Sequence, residues 1–299
     1  MRRVAAVAVA VTVAVVLPAC SQEPPAVEQS AAVQEAVAEP EDPPQDEAPP
    51  AEAAAPVEAA QAEPVEAAQA EPDGGLDLDD AARRYFEAFA TDRADGMAPM
   101  LDAAAEGSPA AVYAQVQIAY AAALEQEGWP RDPSSLSVID GGVELCSDDG
   151  MGVTACTRFE ALQLEGSHLV SFAVDGVDIT GRLASAAPPV EQGGTSVALL
   201  GAYHSVQSDS LIVALDVSNG GDELVHLNAY TAEYLTSAGR QVTAADALSP
   251  MDLRAGASAY AMLIFPAQGV GGTVYLTGYG PDFLEDFEWE FPLVALDEG

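Results

Sequence analysis

Residues 21–75 most strongly constrain where this chain of 299 residues can fold. The stretch contains 14 acidic residues and no basic, aromatic, leucine, isoleucine or methionine residue. Its isolated valines cannot bury enough apolar surface to offset the conformational entropy of the chain. A hydrophobic core must therefore be built after this stretch, from Leu76 onward.

An exact eight-residue repeat lies inside this stretch. Residues 56–63 read PVEAAQAE, and residues 64–71 repeat them without change. The proline in each copy prevents a helix from continuing through the repeat. We interpret residues 20–75 as a disordered acidic tether, with a reach between ~40 Å as a flexible coil and ~170 Å as polyproline II. The alternative is a Pro/Ala segment that docks a partner, although it carries no aromatic or PxxP-with-arginine anchor.

The N-terminus has the pattern of a secretory signal. Arg2 and Arg3 precede an apolar run at residues 4–17, which Thr12 alone interrupts. The run has 14 residues, whereas a membrane-spanning helix needs ~20. Positive residues followed by a short apolar run are typical of a segment that is removed after export, so we predict a signal peptide at residues 1–19.

The end of this run, Leu17-Pro18-Ala19-Cys20, resembles the bacterial lipobox, although Pro18 replaces the usual small residue. The resemblance implies cleavage between Ala19 and Cys20 and attachment of diacylglycerol to the Cys20 sulfur. It also implies a lipoprotein anchored to the extracellular face of the cell membrane. The alternative is ordinary secretion that leaves Cys20 as a free thiol.

The chain has three cysteines, Cys20, Cys146 and Cys156. Lipidation of Cys20 leaves one pair, and the pair flanks a turn-rich segment at residues 147–152. Centring that turn at Met151 places Cys146 opposite Cys156 on one face of a hairpin, at the ~5.5 Å Cα separation that a disulfide can bridge. We predict this disulfide because an exported protein meets an oxidising compartment. Two buried free thiols are the alternative.

The net negative charge of the chain excludes some classes of binding partner. The chain has ten arginines, no lysine and 48 acidic residues, for a formal charge of −38, and loss of Arg2 and Arg3 with the signal moves it to −40. Such a protein lacks the cations that bind nucleic acid or anionic lipid. The expected partners are the membrane, through the lipid on Cys20, and a cell-wall or protein partner.

Residues 76–185 read as an α+β domain. Capping residues and helical spacing predict three helices, at residues 78–92, 97–105 and 108–127. A period of two then predicts an antiparallel meander of four strands, at residues 136–146, 153–164, 168–174 and 177–183.

This order of elements resembles the nuclear-transport-factor-like cone, in which helices pack into a curved sheet. The family includes both enzymes and non-enzymatic binding modules, so the interior decides between two expectations. A deep apolar cavity with convergent polar groups would favour a ligand carrier or an enzyme. An interior filled by aromatic residues would favour an interaction module; the candidates are Tyr85, Phe86, Phe89, Tyr113 and Tyr120.

Residues 186–194 read as a linker, and residues 195–299 as an all-β sandwich. The strand candidates span residues 196–206, 210–218, 224–236, 257–265, 273–279 and 287–294. Short strands at this spacing favour an immunoglobulin-like sandwich.

Two motifs carry a closer resemblance. Residues 211–219 read LIVALDVSN and precede Gly220-Gly221-Asp222; Leu253-Arg254-Ala255-Gly256 precedes a strand that ends in LIFP at residues 263–266. These features resemble the immunoglobulin-like domain of unknown function that ends many Gram-positive surface lipoproteins, with Ala255 in place of the usual proline. The motifs are structural, so the resemblance implies fold and location and no catalytic residue.

Residues with metal or acid–base chemistry are few and scattered. His168 follows a turn and is the one titrating candidate on the predicted meander, and His204 and His226 lie far from it in sequence. Asp77-x-Asp79-Asp80 and Asp148-Asp149-Gly150 lack the ligand spacing of a calcium-binding loop. We predict no catalytic, cofactor or metal site. The expected function is a non-enzymatic interaction or sensing lipoprotein on a long acidic stalk, and the alternative is a small-ligand carrier or enzyme that uses the cone interior.

Overall fold

The computed structural model describes residues 78–148, 154–266, 268–284 and 286–296. The predicted signal peptide, its cleavage site at Ala19 and Cys20, and the acidic tether lie outside the described residues. So does most of the turn predicted between the two cysteine strands.

Three helical regions open the described chain. Helix α1 spans Asp80–Phe89, and the Asp79 side chain accepts a hydrogen bond from Ala81 N at 2.8 Å as its N-cap. The predicted middle helix is two short helices, α2 at Ala94–Met97 and α3 at Pro99–Ala103. The break falls there because Pro99 has no N–H to continue the hydrogen-bond ladder and instead takes the first position of a new helix.

Helix α4 spans Pro109–Gln126, as the sequence predicts to within a residue. Ser108 Oγ accepts a hydrogen bond from Ala111 N at 3.2 Å and caps the helix, with Pro109 at its first position. Ten of its residues are buried, and seven of these are alanine. Because these small side chains let neighbouring elements approach closely, the helix is covered on more than one face.

The first sheet contains five antiparallel strands in the order β1 to β5. Their bounds are β1 Ser135–Ile139, β2 Gly142–Asp148, β3 Thr154–Glu165, β4 His168–Val174 and β5 Val177–Asp178. The prediction of one strand over residues 136–146 was wrong. Asp140-Gly141 makes a two-residue turn that folds this segment into the β1–β2 hairpin, with Ile139 opposite Gly142 and Gly141 at φ 78°.

Two further antiparallel sheets follow and pack face to face. Their strands are β6 Leu183–Ala184, β7 Ala187–Gln192, β8 Thr195–His204, β9 Ser210–Asn219, β10 Val225–Leu227, β11 Glu233–Leu235, β12 Gln241–Thr243, β13 Asp246–Leu248, β14 Asp252–Leu253, β15 Ser258–Pro266, β16 Thr273–Tyr279 and β17 Asp286–Pro292. One sheet has the order β13-β15-β9-β8-β6, with β7 also on β8. The other has the order β12-β11-β16-β10-β14, with β17 on β16. Trp289, Phe291 and Phe265 lie in the core between them.

Two further strand predictions and the linker prediction need correction. The strand predicted at residues 224–236 is interrupted by a 3-10 turn at Ala229–Thr231, and the one predicted at 177–183 by a 3-10 turn at Thr180–Arg182. The linker predicted at residues 186–194 contains β7, whose Val190 packs on the sandwich core. Pro188 and Pro189 fall at a register shift of this strand, where a missing N–H costs little.

Helix α4 joins the two predicted domains. It packs on β4 of the first sheet and on β8, β9 and β15 of the sandwich. One buried cluster contains Tyr113 of the helix, Phe172 of the first sheet and Met262 of the sandwich. The boundary predicted at residues 186–194 therefore does not separate two independent cores.

Candidate functional site

Aromatic side chains fill the interior between α1, α4 and the first sheet. Tyr85, Phe86, Phe89 and Tyr113 are buried there against Phe159 and Phe172 of the sheet. Ring centroids lie 5.0 to 6.5 Å apart, mostly edge to face. Each such pair contributes about 1 kcal/mol beyond its buried area. Four of the five aromatic residues expected to fill a cone do so, and Tyr120 is the exception.

An open cleft of about 1020 Å³ lies beside this aromatic cluster. Helix α4, strands β2 and β3 and the loop after β8 contribute to its walls. Its floor is formed by buried apolar and aromatic side chains, namely Phe89, Tyr113, Val116, Leu145, Phe159, Val174 and Tyr203. Tyr120 lies half-buried at its edge. The cleft is large enough for a small-molecule ligand.

One edge of the cleft carries a network centred on Asp92. This side chain is buried, with 8% of the residue exposed, and its Oδ2 accepts a hydrogen bond from Ser134 Oγ. Arg131 Nη1 lies 3.7 Å from Asp92 Oδ1, and the Arg131 guanidinium lies 4.6 Å from the centroid of the Tyr120 ring. A cation in this corner of the cleft is thus held by a carboxylate and an aromatic face together.

The loop after β8 and the turn after β4 contribute further residues to the cleft lining. Gln207 Nε2 donates a hydrogen bond to Thr157 Oγ1, which ties the loop to β3. Asp175 occupies a left-handed turn with φ 48°, and its Oδ1 accepts a hydrogen bond from Arg158 N at 2.9 Å. These contacts position both segments against the cleft.

Two tyrosines meet at the floor. The rings of Tyr113 and Tyr203 are 5.1 Å apart and edge to face. Burial raises the pKa of Tyr203, whose hydroxyl accepts a hydrogen bond from Val206 N at 3.2 Å. Burial also raises the pKa of Tyr113 well above its ordinary value, and the neighbouring Tyr203 adds to the effect. Both hydroxyls are therefore neutral donors at physiological pH.

The Tyr113 hydroxyl makes no hydrogen bond of its own with the residues that the structure describes, although its ring is packed in the cleft floor. The residue is 5% exposed, and its oxygen makes no hydrogen bond with any of the described residues. Since Tyr113 lines the cleft, its hydroxyl is left to donate into that space.

The predicted disulfide is confirmed. Cys146 on β2 lies directly opposite Cys156 on β3, and the two sulfurs are bonded. Their Cα atoms are 4.0 Å apart, which is closer to the ~4.5 Å of a non-hydrogen-bonded pair than to the ~5.5 Å expected. Cys156 lines the cleft, so the disulfide fixes the two strands that form one wall. Glu144 lies near both sulfurs, but the bonded sulfurs cannot act as thiolate metal ligands.

The three histidines lie apart from the cleft and from one another. His168 begins β4, is exposed and pairs with Glu165 in the sheet register. His204 contacts Arg182 and Asp209, and His226 contacts Asp252 at 2.7 Å and stacks on Phe283. Within the described ranges, no histidine belongs to a group of three or more side chains that could share a metal ion.

The acidic residues at 77–80 and at 148–150 lie in different parts of the chain. Asp79 caps α1, and Asp80 lies in the first turn of that helix. Asp77, Asp149 and Gly150 lie outside the described residues, whereas Asp148 lines the cleft.

Sequence reasoning did not predict the cleft. Its polar residues come from segments that carry no motif: Asp92 follows α1, Arg131 and Ser134 follow α4, and Gln207 lies in the loop after β8. The one usable signal was Trp129-Pro130-Arg131, where the chain leaves a long helix with a basic residue in an otherwise acidic protein. That signal marks a helix end but not a site.

Comparisons with known proteins add little. No family model matches the chain, and no curated protein matches it. A functionally unknown protein from Listeria monocytogenes EGD-e has a solved structure that is similar over 38% of this chain and 85% of that one, with 10% identity and a TM-score of 0.28. This likeness is too low to transfer a fold or a function. Among the described residues, no helix is long and apolar enough to cross a membrane.

Proposed function

We propose that this protein is a non-enzymatic lipoprotein anchored to the outer face of the cell membrane through Cys20, and that its folded part is a sensing module with a binding cleft. The signal-like segment at residues 1–19 and the lipobox resemblance support the anchor. The acidic segment at residues 20–75 supports a stalk that holds the folded part away from the membrane, where a cell-wall or protein partner can reach it.

We further propose that the C-terminal sandwich belongs with the immunoglobulin-like domains that end Gram-positive surface lipoproteins. Asn219, the asparagine of the first motif, is 1% exposed and uses its whole side chain. Its Nδ2 donates to Glu223 O at 2.7 Å and Leu253 O at 2.9 Å, and its Oδ1 accepts from Gly221 N. Gly256 N of the second motif donates to Asn219 O at 2.7 Å. The motifs thus connect two turns of one structure, which is the role expected of recurrent structural motifs.

One observation carries the binding role: the Tyr113 hydroxyl lies in an open aromatic cleft and makes no hydrogen bond within the described residues. A buried hydroxyl without a partner loses a hydrogen bond worth about 1 kcal/mol or more, unless water or a ligand supplies an acceptor. The aromatic cluster around Phe159 and Phe172 fills the space that an enclosed carrier or enzyme would use. This favours recognition in the open cleft over the alternative of a ligand carrier or enzyme that works inside the cone.

A cleft-blocking variant tests the proposal. Ala155 is exposed on β3 and lines the cleft, so Ala155→Trp should fill it without disturbing the core. The matched control is Thr243→Trp, at an exposed position on β12 that does not line the cleft. We expect ligand-observed NMR with a fragment library of all charge types to find binders to the purified full-length chain in detergent micelles. Ala155→Trp should displace them and Thr243→Trp should not. Fragments that bind both variants equally, or no binder at all, would exclude a binding cleft.

A further inference from the structure

The cleft contains charge of mainly one sign. Among the described residues that line it, the charged side chains are four aspartates, Asp92, Asp132, Asp148 and Asp175, and one arginine, Arg131, which leaves three net negative charges. Arg131 is already engaged by Asp92 and Tyr120. A ligand entering the cleft therefore meets a negative potential that protein walls of low dielectric strengthen.

Two of the carboxylates are placed to act on a ligand. Asp132 is exposed and forms no ion pair or hydrogen bond within the described part of the chain. Asp175 is exposed, and one of its oxygens, Oδ1, holds Arg158 N, which leaves the second oxygen for another donor. An ammonium group can donate a hydrogen bond to a carboxylate oxygen of Asp132 or to the second oxygen of Asp175, whereas these aspartates would repel a carboxylate ligand.

The floor of the cleft favours two further features in a ligand. Phe89, Phe159 and Tyr203 offer apolar and aromatic surface, which favours a ligand with an apolar body. The Tyr113 hydroxyl is a neutral donor that makes no hydrogen bond within the described residues, so it can donate to an acceptor on the ligand. The corner where Arg131 lies over Tyr120 and beside Asp92 shows that this cleft already accommodates a cation against an aromatic ring.

Resting on the proposed binding function, we propose that the cleft recognises a small organic cation. Its positive nitrogen is attracted by Asp132 and Asp175, which both line the cleft. Its apolar body lies on the aromatic floor, and an acceptor oxygen receives the hydrogen bond of Tyr113. The acidic surface of the whole protein draws such cations towards the cleft.

Three benzamides of equal body and different charge test the cation requirement. N-(2-aminoethyl)benzamide carries an ammonium, N-(2-hydroxyethyl)benzamide a hydroxyl, and hippurate a carboxylate. We expect NMR titration of the isotope-labelled full-length chain in micelles to give an affinity for the ammonium compound about tenfold above the hydroxyl compound, since two exposed carboxylates contribute about threefold each. The preference should shrink as salt is raised, and hippurate should not bind.

Isosteric variants locate the charge. Asp132→Asn and Asp175→Asn should each weaken the ammonium compound about threefold and leave the hydroxyl compound unchanged. Asparagine tolerates the left-handed backbone at position 175 and keeps the oxygen that accepts from Arg158 N. The control is Asp246→Asn, because Asp246 is exposed, its Oδ1 also accepts a backbone N–H, and it lies outside the cleft.

Tyr113→Phe tests the acceptor. It keeps the ring and should weaken the ammonium and hydroxyl compounds alike, by about fivefold. A hydroxyl that served packing alone would leave both affinities unchanged, and that result would overturn this part of the proposal.

The outcomes separate this inference from the proposed function. If neutral or anionic fragments bind the cleft as tightly as cations, or the benzamides fail where other fragments bind, the cleft is a binding site and the cation proposal is wrong. If Ala155→Trp displaces no fragment of any charge, the proposed function itself is wrong and the inference falls with it.

Discussion

Gly201 on β8 lies directly against Val112 of helix α4. A Cβ atom at position 201 would be 3.1 Å from Val112 Cγ1 and 3.2 Å from Val116 Cγ2. The missing side chain lets the helix approach the sandwich closely, and this contact is part of the packing between the helical region and the sandwich.

We expect Gly201→Val to lower the free energy of unfolding by about 2 kcal/mol, because its added carbons overpack the contact with α4 and because valine rarely adopts the φ of 156° found at this position. The melting temperature should fall by about 5 °C in a single transition. Differential scanning calorimetry measures both values. Gly181→Val is the control, since nothing lies within 4 Å of a Cβ at that position. Equal melting temperatures for the two variants would contradict the packing role of Gly201.

The Cys146–Cys156 disulfide should stabilise the folded protein. It closes a loop with a sequence separation of 10, and the double variant Cys146→Ala/Cys156→Ala should lose about 2.8 kcal/mol in urea denaturation on the entropic model. In the natively exported protein, unfolded without reductant, neither cysteine should react with iodoacetamide. Alkylation of both cysteines under those conditions would mean that the exported protein carries no such bond.

Asn219→Ala should destabilise the sandwich by about 2 to 3 kcal/mol, because the buried Asn219 side chain is the partner of Glu223 O, Leu253 O and Gly221 N. Asn228→Ala provides the comparison, since the Asn228 side chain makes no hydrogen bond within the described residues. Chemical denaturation followed by tryptophan fluorescence measures both, because Trp289 lies in the sandwich core. A loss of unfolding free energy below about 0.5 kcal/mol for Asn219→Ala would contradict a structural role for the motif that contains it.

Cys20→Ser should abolish lipid attachment, because serine offers no sulfur for the thioether. We expect the protein to move from the membrane fraction to the medium, as measured by immunoblotting of fractionated cells. Mass spectrometry of the wild-type protein should find lipid-modified Cys20 as the first residue. A mature N-terminus at any other residue would rule out the lipoprotein anchor.

Deletion of residues 64–71 should leave the melting temperature of the folded part unchanged, because the tether is expected to make no contact with it. Deletion of residues 56–63, the identical copy, should behave in the same way. Circular dichroism melts of the full-length chain in micelles test this, and a shift of several degrees with either deletion would show that the segment docks on the folded part.

Features set by neighbouring residues could be predicted from the sequence. Ser108 and Pro109 start α4, and Asp175-Gly176 closes a two-residue turn between β4 and β5, because caps and turns depend on a few adjacent residues. The opposition of Cys146 and Cys156 followed from a turn between two strand patterns. The Asp140-Gly141 turn is equally local, since Asp-Gly is a typical two-residue hairpin sequence, but the sequence analysis did not predict a turn there.

Features that depend on distant residues required the tertiary structure. The burial of α4 on several faces and the pairing of β7 with β8 arise from which sheets these elements meet, and periodicity within one element does not contain that information. The cleft is the clearest case: Asp92 meets Ser134 across a separation of 42 residues, and Gln207 meets Thr157 across 50. Composition and local pattern determined which part of the chain was expected to fold and which elements it forms. The packing of α4 between the first sheet and the sandwich decided which side chains share a site, because residues distant in sequence become neighbours only through long-range packing.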